Sequence, residues 1–367
     1  MRKLFLFLLV ALVALVTACS NSASTNEQTD EKTDQEAAKE DESKESENKQ
    51  EQKEAAQPFE ALAPSEDAKP LEETMTEEEL ANMPVVEAHG EDRTRKTPVG
   101  ETLMEGTTDE TDGILKDYRL VAYYGQPNST KMGILGEMEP EALMTKLKEQ
   151  TQAYSDADPD RPAIPTIELI TTIAQRDPGP NGKYYHMTSE EDIDEYAELA
   201  KKHNAILLLD VQLGRDTALH QVQLLEKWLK LPYVHVAIDT EFHVKEGQTP
   251  GIDLGSVDGS EVQEVVDYVS KFVEENNLPD KIVLVHQFTD HAVTNKQEIK
   301  PTDNVEVALN FDGYGDYGTK MSLYRKFVRN EPVQYGGFKI FYNKDKPVLT
   351  PEEVLQLDPN PAIINYQ

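Results

Sequence analysis

The chain has 367 residues, with 69 Asp and Glu against 36 Lys and Arg and a formal net charge of −33 at pH 7. A surface this acidic repels phosphate backbones, which sets the chain against nucleic-acid binding. Its single cysteine, Cys19, excludes disulfides, cysteine-ligated metal centres and a cysteine nucleophile in the folded part.

In chain order, the first element is a leader. Arg2 and Lys3 precede the apolar run LFLFLLVALVALV at 4–16. That run is too short to span a bilayer, which takes about 20 residues, and it suits the core of a signal peptide. Val16-Thr17-Ala18-Cys19 follows, then Ser20 and Asn21. These residues resemble the lipobox of bacterial lipoproteins. The resemblance implies a signal peptide over 1–18, lipidation of Cys19, and anchoring to the cell membrane on its extracytoplasmic face.

An acidic, low-complexity stretch comes next. Residues 20–80 hold twenty Asp or Glu and six Lys or Arg, a net of −14, with almost no large apolar residue before Phe59. Such a segment buries too little surface to offset its ordering entropy, so residues 19–115 are assigned to a disordered linker tethering the domain. Within it, 81–115 are ambiguous and read as a strap lying on the domain. Residues 81–367 keep a net of −21, the remainder of −33 after the linker and the basic leader.

From 116 to 367 strand and helix patterns alternate. Candidate strands are RLVAYYG (119–125), AIPTIELITTIA (163–174), AILLLDVQL (205–213), VHVAIDTEF (234–242), KIVLVHQF (281–288), VEVALNF (305–311), FKIFYN (338–343) and PAIINYQ (361–367). Most are continuous apolar runs, as parallel strands covered on both faces require. Helical patterns lie between them: one behind Met138, one opened by Thr188 or Ser189 with Glu191 or Asp192 as a capping box, one running from Asp216 to Pro232, and one with Val262, Val265, Val266, Val269, Phe272 and Val273 at helical spacing. The weakest pattern is DHAVTNKQEI after the fifth strand. Eight alternations over roughly 250 residues predict a (β/α)8 TIM barrel in a single domain. The competing doubly wound sheet lacks its fingerprint, since Gly125-Gln126-Pro127-Asn128 has no glycine-rich phosphate loop.

The active site of such a barrel forms at the C-terminal strand ends. There this sequence turns polar: Tyr124, Asp210 and Gln212, Asp239, Glu241 and His243, His286 and Gln287, Asp312 and Tyr314, and Asn365, with Glu168 inside the second strand. Each has a bland explanation. Asp210 or Asp312 could cap a helix, His286 could be a satisfied core histidine, His235 is structural, and Glu168 could pair with Arg176. The Asp239–Glu241 pair resists such an explanation, because a cap accounts for one carboxylate and burying the second needs a partner. Alternate strand positions lie about 6.6 Å apart on one face, and strands about 4.8 Å apart bring Asp210 within reach. Crowded carboxyls drive their pKa values apart, leaving one protonated and one ionised, as glycosidic cleavage requires.

An Asp-x-Glu closing the fourth barrel strand resembles the chitinase-like glycoside hydrolases. The resemblance implies that Glu241 is the general acid and that Asp239 orients the substrate's acetamido group, which acts as internal nucleophile. That family carries further aspartates upstream where this chain has Val234 and Ala237. Glu241, Asp239 and Asp210 are thus the candidate catalytic residues. Tyr124, Gln212, Gln287, Asp312, Tyr314 and Asn365 are the candidate substrate contacts. Tyr184, Tyr185 and Tyr317 are further possible sugar platforms, and Trp228 sits on a helix as core. The expected partners are a membrane, through Cys19, and an envelope or environmental glycan; no cofactor or metal is assigned. Two alternatives stand: a divalent-metal barrel enzyme, because Asp, Glu, His and Asn at strand ends are suitable ligands, and a non-catalytic binding or envelope-scaffold protein.

Overall fold

The computed structural model describes residues 59–78, the backbone of 86–88 and 91–93, and residues 102–104, 108–329, 331 and 334–367. The leader, Cys19 and the first part of the acidic linker lie outside them. Eight strands carry the fold: β1 Arg119–Gly125, β2 Ala163–Ala174, β3 Ile206–Val211, β4 Val234–Asp239, β5 Lys281–Gln287, β6 Val305–Phe311, β7 Tyr335–Ile340 and β8 Ile363–Tyr366. Each pairs in parallel with the next in sequence. β8 then pairs in parallel with β1, Ile363 opposite Leu120 and Tyr366 opposite Tyr123, which closes the barrel. This is the (β/α)8 TIM barrel that the apolar runs predict, and closure excludes the open sheet.

The connections are helical where the sequence offers an amphipathic face and a cap. α1 is Pro140–Ala157, α2 Glu190–Lys202, α3 Ala218–Gln223, α4 Glu226–Leu229, α5 Gly259–Asn276, α6 Tyr317–Tyr324 and α7 Pro351–Leu355. Ser189 caps α2 by accepting the Asp192 N–H, and Asp316 caps α6 by accepting that of Thr319. Neither Asp210 nor Asp312 caps a helix.

Three elements differ from the sequence reading. The helix expected over 216–232 is split into α3 and α4. Between β5 and β6 there is no α-helix, only a 3-10 turn at Lys296–Glu298. The β-branched pair Val293–Thr294 just before it is extended and bridges in parallel to Val257–Asp258. β7 starts three residues earlier than the pattern FKIFYN indicates, because Gly336 and Gly337 interrupt the apolar run. Both glycines answer close approaches: a Cβ at Gly337 would lie 2.4 Å from Asn310 Oδ1, and one at Gly336 would lie 2.5 Å from Val328 Cγ1.

The linker assigned to 19–115 does not continue unbroken to the barrel. Leu62 donates its N–H to Ala163 O at 2.8 Å, Glu60 donates to Asn204 O at 2.8 Å, and Phe59 meets Tyr118 edge-on. Leu71 and Leu103 are buried in the main core. Residues 108–117 cover the N-terminal end of the barrel; much of the 81–115 strap lies outside the described residues. Tyr335 Oη donates to Asp109 Oδ2 at 2.5 Å, and Glu306 Oε2 accepts the Leu115 N–H at 3.1 Å. The segment's apolar groups and some of its donors find their partners on the barrel, which is why its polar sequence misleads. Gly113 touches Glu306 so closely that an added Cβ would lie 2.2 Å from its Cδ. Gly113→Ala is therefore expected to cost about 1–3 kcal/mol through overpacking, read as a lowered urea midpoint; an unchanged midpoint would show that the strap is not needed for stability.

Candidate active site

Along each strand alternate side chains face the barrel interior or the helices. The outward set is spent on packing. Tyr366 Oη bonds Tyr154 Oη of α1 at 2.7 Å, and Gln287 Nε2 donates to Phe327 O at 2.5 Å. The inward set meets across the barrel. His286 Nε2 of β5 lies 2.6 Å from Glu168 Oε1 of β2, and Asn365 of β8 donates its amide to Glu168 Oε2. On the other ring edge, His286 Nδ1 is 3.1 Å from the Asn310 amide and 3.5 Å from Asp312 Oδ2. Glu168, His286, Asn310 and Asn365 are all buried.

A second layer lies toward the open end. Gln212 Nε2 reaches Tyr124 Oη at 3.2 Å and Asp239 Oδ2 at 3.3 Å, and Tyr124 Oη faces the same Asp239 oxygen at 3.5 Å. Lys339 Nζ sits 3.6 Å from the centre of the Tyr124 ring and 4.0 Å from Asp312 Oδ2. Above this layer opens a cavity of about 530 Å³, with Tyr124, Gln212, Glu241, Asp312, Tyr314 and Lys339 on its wall. Phe242, Phe288 and Phe341 supply further aromatic surface there.

Glu241 reaches the cavity by a different route from the one expected. β4 ends at Asp239, and Thr240–Phe242 form a 3-10 turn. Strand alternation therefore does not place Glu241; the turn does, held by the Gly255 N–H donating to Glu241 O at 2.7 Å. Among the described residues the Glu241 carboxyl has no hydrogen-bond partner, and it is only partly covered. His243 turns away, its Nδ1 2.9 Å from Ser256 O.

Burial and mutual repulsion spread the ionisation of these acids. Burial, then the charges of Asp239 and Asp312, push Glu241 up to about 8. Burial also raises Asp239, and the positive charges of His286 and Lys339 hold it to about 6. For Asp312 the penalty of burial is outweighed by the His286 hydrogen bond and by Lys339, and it lies below its ordinary value. Burial disfavours the His286 imidazolium, but Glu168 and Asp312 prevail and its pKa stands well above 6.5. At neutral pH the cavity wall thus presents a neutral Glu241, with an ionised Asp239 buried beneath it.

The candidate residues separate accordingly. Tyr124, Gln212, Asp312, Tyr314 and Glu241 line the cavity, and Asp239 is bonded directly beneath its wall. Asp210 is near them but wholly buried and lines no part of the cavity. Two candidate substrate contacts are corrected. Gln287 faces outward to Phe327, because it is one position out of phase with His286. Asn365 faces inward but lies below the cavity floor, where it holds Glu168. Tyr184 is covered by Arg215 at 4.0 Å and Tyr185 is buried, so neither is a platform, and Tyr317 does not line the cavity. Trp228 is core, its Nε1 donating to Asp194 at 2.7 Å. His235 is structural, accepting the Ile282 N–H at 3.0 Å. The partner of Glu168 is His286 and not Arg176.

Sequence reasoning passed over Lys339 and undervalued Glu168 and His286. The available signal was a charge inside an apolar strand: Lys339 in FKIF and Glu168 in TIELI.

No family profile matches the chain, and no curated relative does. Among solved structures, the crystal structure of D-psicose 3-epimerase in the presence of D-fructose is similar at a TM-score of 0.35 and 11% identity, over 68% of this chain and 84% of that one. The architecture described above stands on the barrel's own strand pairing. Among the described residues no helix is long and apolar enough to cross a membrane.

Proposed function

We propose that this barrel cleaves a glycosidic bond in an envelope or environmental glycan, with Glu241 as general acid. The observation that carries the reading is the Glu241 carboxyl, on the cavity wall and without a hydrogen-bond partner among the described residues, close above the buried Asp239; burial and neighbouring charges push the first up to about 8 and the second up to about 6. Two carboxyls split in this way supply a proton donor and a negative charge to one bond. Glu241 protonates the leaving oxygen as the bond from the anomeric carbon breaks. Following the chitinase-like resemblance, an acetamido oxygen of the substrate attacks that carbon, oriented by Asp239. Water then opens the intermediate and passes its proton to the Glu241 carboxylate. Tyr124 and Gln212 hold Asp239 in place, and the phenyl and phenol rings of the cavity offer faces to the sugar.

Chromogenic N-acetylglucosamine oligomers and purified cell-wall glycan are the substrates to try. The pH dependence follows from the two acids. Asp239 must be ionised, so the rate should rise with pH through about 6; Glu241 must be protonated, so it should fall through about 8. A rate flat from pH 5 to 9 counts against both roles.

The lipobox resemblance of Val16-Thr17-Ala18-Cys19 supports an anchored location, with the acidic linker as spacer. One acyl chain binds membranes only marginally and stable anchoring takes two signals. Cys19→Ala is thus expected to move the protein from the membrane fraction to the soluble one and to abolish palmitate labelling. Unchanged fractionation would remove the anchoring proposal.

A further inference from the structure

Below the cavity floor lies a group that the hydrolytic reading leaves without a task. Asp210 is completely buried, and neither of its carboxylate oxygens has a hydrogen-bond partner. Protonation alone does not resolve this, because a buried carboxylic acid still needs an acceptor for its hydroxyl and a donor for its carbonyl. What faces Asp210 is a ligand set. One carboxylate oxygen each from Glu168 and Asp210 and a ring nitrogen of His286 all lie within 4.8 Å of one another, and all three residues are buried. Ligands of one ion at about 2.0–2.6 Å are separated by at most about 4–5 Å, so the three atoms suit one cation after slight contraction. They come from β2, β3 and β5, so the rigid barrel wall sets their spacing.

We propose that Glu168, Asp210 and His286 form a binding site for one divalent transition-metal ion, Mn²⁺ or Zn²⁺. The donor chemistry selects these ions. Two carboxylates and an imidazole suit a borderline ion, whereas Ca²⁺ takes six to eight oxygens and a soft ion takes sulfur. The ion replaces the proton shared between His286 Nε2 and Glu168 Oε1, and it gives the Asp210 oxygens the partner they lack. Asn365 then acts in support, since its amide fixes the second Glu168 oxygen. Because the three residues do not line the cavity, whose wall is formed by Tyr124 and Gln212, the ion sets the floor's geometry and does not touch substrate. The site is assigned on geometry and not on the glycosidic reading; a bound ion, like the His286 charge it adds to, would lower the pKa values of Asp239 and Glu241.

The test uses the purified full chain, stripped with a chelator and dialysed, then titrated separately with MnCl2 and ZnCl2. Bound metal is counted by mass spectrometry and the melting temperature is followed in parallel. Expected are one tightly held ion per chain and a melting temperature that rises by several degrees at saturating metal. Asp210→Asn should weaken the ion by at least about 10-fold. Should that variant fail to fold, Glu168→Gln takes its place. In the wild type, Mn²⁺ spin resonance should also show nitrogen coupling from one imidazole. Absence of a stoichiometric ion overturns the proposal. So does equal binding by the folded variants, which would place the ion on the acidic surface, and so does a signal without nitrogen coupling. None of these readouts is turnover, so their failure leaves Glu241 untouched, and failure of hydrolysis leaves the ion site untouched.

Discussion

Glu241→Gln is expected to lower the rate of glycan hydrolysis by about 10²–10⁴-fold, the usual contribution of a general acid, while substrate binding changes by no more than a few-fold. The amide has the shape of the carboxyl, so the cavity of about 530 Å³ keeps its volume. No internal hydrogen bond is lost, since the carboxyl has none among the described residues. At neutral pH the variant should melt no lower than the parent, because Glu241, pushed up to about 8, is itself uncharged there and the amide leaves the charge balance unchanged. Steady-state kinetics on a chromogenic N-acetylglucosaminide separate the effects: kcat falls and KM holds. A rate within three-fold of the parent would end the general-acid assignment. Preserved cellular function in that variant would favour a binding or scaffold role.

Arg119→Met is expected to cost the fold about 3–5 kcal/mol, the usual penalty for breaking a buried ion pair from one side. Arg119 opens β1 and is almost fully buried. Its Nη1 lies 3.2 Å from Asp158 Oδ2 just after α1, its Nε donates to Pro361 O at 2.9 Å, and its Nη2 donates to Asn360 Oδ1. One guanidinium thus ties the first strand, the first helix and the entry to the last strand where the barrel closes. Methionine fills the volume but offers no donor, so the buried Pro361 and Asn360 oxygens lose theirs. Urea denaturation followed by circular dichroism measures the cost. A loss below 1 kcal/mol would mean that closure does not depend on this contact.

The barrel was legible because its evidence is local. A parallel strand covered on both faces must be apolar along its length, and β1, β2 and β6 have the bounds their apolar runs predict. Where packing needed an atypical residue, legibility failed: Gly336 and Gly337 hid the start of β7, and an extended Val293–Thr294 stands where a helix was expected. The Asp239–Glu241 pair was found for a reason that holds only in part. Both acids do converge at the cavity, but Glu241 arrives on a 3-10 turn that alternation along β4 does not describe.

From its sequence alone this chain determines an acidic surface, a run of strands and helices long enough to close a barrel, and polar strand ends. These depend on neighbours a few positions apart. Which polar side chains share a site was decided by barrel closure, which joins Glu168 to His286 across 118 positions and to Asn365 across 197. Alternation along each strand separates residues one position apart, sending His286 inward and Gln287 outward. The ionisation of the acids is likewise tertiary, since a carboxyl's pKa depends on burial and on charges that neighbouring strands bring near, here His286 and Lys339 for Asp239 and Asp312.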